Sequence, residues 1–269
     1  MTARQPRAAD RGSRWSTLLG LLAERGRLSV AEASEALGAS EATVRRDFGD
    51  LAAQQLATRT HGGIVATAVA YELPARYKEA ASDGAKERIA TYAADIPTEG
   101  AVVGFNGGTT TSAVARRLAA RSDLAMSSAR PAITVVTNAL NIATEMVLRP
   151  FVRCVSLGGV ARPESYELSG PLASMVLGEL WLDTAVIGVD AVSAEAGATC
   201  QHEGEAGINS LMVQRAERVI VVATGAKLGG RAFARICPAS RIDLVVTDDS
   251  ADPAAVADLR AAGVTVEVV

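Results

Sequence analysis

Two clusters of side chains have the types and spacing for chemistry. One is Gly104-Phe105-Asn106-Gly107-Gly108-Thr109-Thr110-Thr111, where glycines let the backbone turn and approach a ligand while three threonine hydroxyls add donors. It lies where an apolar run over 101–105 gives way to a helical pattern over 109–120. The free amides and positive dipole end of such a helix favour an anion. The motif lacks the lysine of a P-loop and the spacing of a GxGxxG turn. A plain strand-to-helix turn capped by threonine uses the same residue types, so the motif alone leaves both readings open. The other cluster is Thr43, Arg45 and Arg46, a hydroxyl and two guanidinium groups within four residues.

The elements around Arg45 and Arg46 give that second cluster its meaning. Ser29 can cap a helix whose apolar positions Val30, Ala33 and Leu37 keep helical spacing. Gly38 ends it, and Ser40 caps the next helix two residues later, which is the helix-turn-helix pattern. In this second helix Val44, Phe48 and Leu51 recur at i, i+4 and i+7 and pack inward, leaving Ala42, Arg46 and Gly49 on the opposite side. That outer face suits a helix laid in the major groove, where an arginine donates a bidentate pair to guanine. The competing reading is a solvated helix with Arg45 or Arg46 paired to Glu41, Asp47 or Asp50. Residues 56–65 follow as two short strand-like runs around Gly62-Gly63, a small ribbon or wing carrying Arg59, Thr60 and His61 toward phosphates or the minor groove. Arg46 and Thr43 are expected to read base edges, and Arg45 and Arg59 to anchor phosphates.

The run SEATVRRDFGDL followed by LATRTHGG resembles the amino-terminal winged helix of the DeoR family of bacterial transcription regulators. The resemblance implies a first helix over 14–25 with Trp15, Leu18, Leu19 and Leu22 on its buried side. It covers nearly all of the chain. VTNALNIA, LGGVARPESYELSGPLA, DTAVIGVDAVSAEAGAT, the Glu205-Ala206 pair and the Lys227 loop resemble the effector domain of that family.

Farther along, apolar runs at 101–105, 133–137, 152–157, 185–189, 219–223, 244–247 and 264–269 alternate with helical patterns near 86–95, 109–120, 139–148, 170–181, 205–217 and 253–262. Strands apolar almost throughout, separated by helices, predict an α/β domain with a mainly parallel sheet covered on both faces. Ligands bind beyond the carboxyl ends of such strands. The residues just past each run are Asn106, Asn138, Gly158-Gly159, Asp190, Lys227 after a short loop, and Asp248. Lys227 offers a cation for a phosphate, and Asp190 or Glu205 offers a carboxylate for sugar hydroxyls. Together with Gly107, Gly108, Thr109, Thr110 and Thr111 they nominate a phosphorylated polyol as ligand.

The resemblance implies a fold like that of sugar-phosphate isomerases and a pocket lined by Asn106, residues 108–111, Asp190, Glu205 and Lys227. The family often carries Asp at the place of Asn106 and DSSK-like residues at that of Thr224-Gly225-Ala226-Lys227. This chain therefore has one carboxylate fewer and fewer donors around the lysine. The expected function is a sequence-specific regulator, a repressor of sugar-metabolism genes. Its partners would be double-stranded operator DNA and a phosphorylated sugar effector, and it would act as a homo-oligomer, a dimer or tetramer. The alternative is a sugar-phosphate isomerase-like enzyme with an added DNA-binding domain.

Composition is compatible with this division. The chain of 269 residues has 49% hydrophobic and 21% charged residues and a net charge of −3. Residues 1–62 carry +2 and the remainder −5. The expected organisation is a disordered tail over 1–12, a winged helix-turn-helix over 13–66, a linker over 67–84 and an effector-binding and oligomerisation domain over 85–269. Cys154, Cys200 and Cys237 lack metal-ligand spacing, so no metal or cofactor is expected and the thiols read as reduced. No apolar run approaches a membrane span and no signal peptide is visible, which points to a cytoplasmic protein without membrane partners. Cys200 and His202 lie close together, but no oxyanion loop or third partner supports a nucleophile and base. Trp181, Leu211 and Met212 read as core.

Overall fold

A computed structural model describes residues 14–15, 17–18, 20–22, 27–53, 57–60, 62–66 and 84–269. The tail over 1–12, the linker residues 67–83, Leu19 and His61 lie outside these. The chain divides into two compact units, residues 1–79 and 80–269.

In the first unit a helical stretch including residues 14, 15, 17, 18 and 20–22 precedes strand β1 (Arg27–Ser29), helix α1 (Val30–Leu37), helix α2 (Glu41–Ala53) and strands β2 (Ala57–Thr60) and β3 (Gly63–Ala66). Ser29 and Glu32 form a reciprocal capping box: the Glu32 amide donates to Ser29 Oγ and the Ser29 amide to Glu32 Oε2. Gly38, in the left-handed region at φ 59°, closes α1, and Ser40 Oγ accepts from the Thr43 amide to start α2. The wing is wider than the two strands read from the sequence, because β1 pairs with β3 and gives the order β1-β3-β2. Leu18, Leu22, Val44, Phe48, Leu51 and Ile64 fill its core.

In the second unit seven parallel strands are ordered β15-β14-β12-β9-β4-β5-β6. They are β4 (Val102–Phe105), β5 (Ile133–Thr137), β6 (Val152–Ser156), β9 (Leu182–Gly188), β12 (Ala216–Val222), β14 (Leu244–Thr247) and β15 (Thr265–Val268). Side chains alternate across this sheet as the pleat requires: Val219 and Val221 enter one apolar cluster, Ile220 and Val222 the other. Helices α3 (Gly84–Ala94), α4 (Thr109–Ala119), α5 (Ser122–Met126) and α6 (Leu140–Met146) cover one face. Helices α7 (Pro171–Gly178), α8 (Glu203–Gln214) and α9 (Pro253–Ala261) cover the other.

Two short pieces were not expected. A hairpin of β7 (Val160–Ala161) and β8 (Leu168–Ser169), and an antiparallel sheet of β10 (Ala191–Ser193), β11 (Gly197–Cys200) and β13 (Ala234–Cys237), pack beside the main sheet. Trp181 corrects the reading of it as core: it is 71% exposed, with the Arg215 guanidinium 4.0 Å over its ring. Met212 is fully buried and Leu211 packs against the core. Among the described residues no helix is long and apolar enough to cross a membrane.

Candidate functional site

On α2 the inward seam of Val44, Phe48 and Leu51 is buried, which leaves Ala42 and Arg46 facing solvent. Arg46 has no ion-pair partner among the described residues, whereas Arg45 pairs with Glu41 at 2.6 Å one helical turn back. Both members of that pair are more than half exposed, so it is a surface contact worth well under about 1 kcal/mol. Asp47 takes neither arginine. It is buried and accepts from Arg14 Nε at 2.9 Å and from Trp15 Nε1 at 3.2 Å, tying the preceding helical stretch to α2. Thr43 shares a hydroxyl hydrogen bond with Ser40. Arg59 and Thr60 are exposed on β2.

The second unit gathers its polar residues where the sheet changes direction. From β4 the chain adds β5 and β6 on one side, then returns to add β9, β12, β14 and β15 on the other. The switch point therefore lies between the carboxyl ends of β4 and β9, where open parallel sheets bind ligands. Asn106 spans it. Its Oδ1 accepts from the Gly188 amide at 2.7 Å and its Nδ2 donates to the Gly188 carbonyl at 3.0 Å. The carboxamide acts as an additional peptide group between two strand ends, and its polar atoms are committed to the protein. An aspartate there would set a carboxylate oxygen against the Gly188 carbonyl, so the amide suits this geometry where an acid would not.

Immediately after Asn106 the backbone turns through Gly108, at φ 126°, into α4. Gly108 has no side chain to cap the helix, and the first intrahelical bond runs from the Ser112 amide to the Gly108 carbonyl at 3.0 Å. The amides of residues 109–111 thus precede the hydrogen-bonded ladder, and no acidic residue occupies the first turn. Gly108 and Thr109 are exposed; Thr110 and Thr111 are buried, with Thr111 Oγ1 donating back to the Gly108 carbonyl.

Lys227 sits on a 3-10 turn, Gly225–Lys227, held by Asp248, whose Oδ1 accepts from the Gly225 amide at 2.8 Å. The Lys227 ammonium donates to the Val189 carbonyl at the end of β9. Burial lowers its pKa and nearby Asp190 opposes that shift. Asp190 is exposed and accepts from the Gln201 amide at 2.8 Å. Glu205, on the first turn of α8, is held by Arg162 Nη1 at 2.9 Å and by the Ser165 hydroxyl.

Asn138, Gly158 and Gly159, also expected to touch the ligand, follow β5 and β6. Asn138 is fully buried and presents no surface; its Nδ2 donates to Glu167 Oε2 at 3.0 Å. Gly158 and Gly159 lead into β7. A Cβ on Gly159 would fall 2.4 Å from the Ser169 carbonyl oxygen, so that glycine permits hairpin closure. The Cys200 thiol is pushed up to about 12 by burial and donates to the His202 carbonyl. His202 Nδ1 accepts from the Gly204 amide as the cap of α8, so neither residue is poised for attack.

Sequence reasoning missed Glu167. Its carboxyl lies directly under loop 107–111: a Cβ on Gly107 would be 2.6 Å from Oε1 and 2.5 Å from Cγ. Burial, reinforced by the like charge of Glu205, raises its pKa to about 7, against hydrogen bonds from Asn138, the Gly107 amide and Asn209. It follows Tyr166, a non-glycine residue in the left-handed region at φ 60°.

Two family models match the chain: a DeoR-like helix-turn-helix domain over residues 14–68 and a DeoR C terminal sensor domain over residues 82–249. Relatives include the HTH-type transcriptional regulator GlpR of Haloferax volcanii, 34% identical over 88% of this chain and 90% of its own length. The HTH-type transcriptional repressor GlcR of Bacillus subtilis is 30% identical over 86% of each chain. The glycerol-3-phosphate regulon repressor of Escherichia coli is 26% identical over 87% of this chain and 90% of its own. A ribose 5-phosphate isomerase from Plasmodium falciparum shares 14% identity and a TM-score of 0.38 over 55% of this chain and 52% of that one, a likeness too slight to add to the fold described above. With both units matched and a relative of 34% identity spanning most of its length, the chain belongs to the DeoR family of transcriptional regulators.

Proposed function

We propose that the protein is a cytoplasmic, DNA-binding repressor of sugar-metabolism genes whose operator affinity is set by a phosphorylated sugar. Thr43 and Arg46 read base edges, while Arg45, Arg59, Thr60 and His61 contact the backbone. The observation that carries the sensing half is the uncapped start of α4 at the switch point, with exposed Gly108 and Thr109 beside the end of β9. The phosphate sits on the amides of residues 109–111, Lys227 supplies positive charge, and Asp190 and Glu205 read sugar hydroxyls. Regulation, not turnover, fits the carboxyl groups best. Asn106 is committed to Gly188, and Glu167, the group with a pKa suited to proton transfer, is buried behind the loop. Thermal unfolding with a panel of sugar phosphates checks this. A phosphorylated member of the panel should raise the melting temperature while the unphosphorylated sugar does not; an unmoved transition throughout would leave the loop as an ordinary helix start.

Paired heads are the route by which a small winged helix reaches useful affinity on a repeated operator. We place the protomer contact on α7, where Leu172 is 62% and Met175 67% exposed, together with Trp181 just beyond it, 71% exposed. Apolar groups this close together mark an interaction face. Changing Leu172 and Met175 together to serine should lower the mass measured by light scattering to that of a monomer, with the fold retained by circular dichroism. An unchanged mass would place the contact elsewhere.

A further inference from the structure

We propose that Glu167 positions loop 107–111 from behind and takes up a proton from solvent when an anion occupies the loop, making effector binding proton-linked. This rests on the effector site described above and adds a regulation of it. The geometry is a carboxyl group pressed against a turn. Asn138 Nδ2 donates to Oε2, and Oε1 lies within 2.6 Å of where a Gly107 Cβ would stand. The backbone holds Glu167 on both sides, since the Arg162 amide donates to its carbonyl and its own amide donates to the Ser165 hydroxyl. The carboxyl held by these bonds lies behind the turn at whose outer side a second negative charge would arrive.

The charged and titratable groups around Glu167 leave few other ways to relieve that repulsion. On α8 it faces Glu205; on its own hairpin, Arg162; at the end of β11, Cys200. Arg162 is engaged by Glu205 at 2.9 Å and by Glu164 at 3.3 Å, so the nearby cation already has two carboxylates. From β5 and from the loop only neutral donors arrive, Asn138 and the Gly107 amide. These favour the carboxylate, and an added anion favours the protonated acid. With the free group poised near neutrality, binding raises its proton affinity further, and affinity for an anion falls as pH rises through that range.

Inorganic sulfate is a suitable probe because its charge is constant in this range and helix starts accept it as they do phosphate. Titrating the full-length protein with sulfate, and following the amides of residues 107–111 by NMR at pH 6 and pH 8.5, should show affinity falling about tenfold at the higher pH, one unit of pKa displacement. Glu167→Gln should bind with one affinity at both pH values, close to that of wild type at pH 6. Glu205→Gln removes the like charge and should move the midpoint of the wild-type profile to lower pH, which keeps the test open if Glu167→Gln fails to fold. Sulfate binding with a pH profile that neither substitution changes would overturn the inference while sparing the anion site. Sulfate that leaves these amides unperturbed at both pH values would overturn the anion site and the inference with it.

Discussion

Replacing Arg46 with alanine is expected to weaken operator binding by about 1–3 kcal/mol per head, the range for loss of a bidentate arginine–guanine contact, and so by about thirtyfold or more in a paired complex. The structure makes this substitution unusually clean. Arg46 lies opposite the buried Val44, Phe48 and Leu51 seam and has no ion-pair partner among the described residues, so its removal leaves the packing of α2 intact. Anisotropy titration on a selected operator duplex at fixed salt measures the loss. A scrambled duplex should show a much smaller one. Equal loss on both duplexes would make Arg46 a phosphate contact, and no loss on either would remove α2 from the major groove.

Gly107→Ala is expected to abolish the response to effector and to cost about 1–3 kcal/mol of stability, the usual scale for overpacking a filled interior. The new Cβ would lie 2.5 Å from Glu167 Cγ and 2.6 Å from Oε1, well inside contact distance. Glu167 has little room to retreat, being buried beneath the loop with Asn138 bound to it. Either the loop lifts off or the carboxyl is displaced, and both destroy the anion site. Gly207→Ala is the control, because nothing lies within 4 Å of a Cβ there and alanine is the better helix former. Its melting temperature should match or exceed that of wild type. The decisive comparison is operator release by sugar phosphate in the two variants, with operator binding itself retained in both.

The parts of the fold that could be read from the residues are those whose signal is local. Seven apolar runs became the seven parallel strands because a strand covered on both faces needs apolar side chains at nearly every position, as Val219, Ile220, Val221 and Val222 illustrate. Ser29, Gly38 and Ser40 act as the helix boundaries their types imply. The short strands β7, β8, β10, β11 and β13 carry two to four residues each, too few to establish a period. Trp181 looked like core because of its type, yet it lies outside the helix that ends at Gly178 and stacks under Arg215.

The chemistry was hardest to read where it depends on distant partners. Asn106 was placed at the site by its position after β4, but its bond to Gly188 joins residues 82 apart in the chain. The pairing of Asp47 with Arg14 spans 33 residues, and that of Glu167 with Asn138 spans 29. Nothing within SYELSG distinguishes a solvated glutamate from one enclosed under a loop. Only the return of the chain to β8, beside Asn138 and above α8, makes the difference.

The most direct test of one module reading DNA under the control of a phosphate-sensing partner is operator affinity of the full chain, titrated with phosphorylated sugars and with the same sugars lacking phosphate. At least one phosphorylated compound should change the operator Kd tenfold or more, about 1.4 kcal/mol of coupling, while its unphosphorylated counterpart leaves it unchanged. An operator Kd that stays constant across the whole panel, or that responds equally with and without the phosphate, would contradict the account.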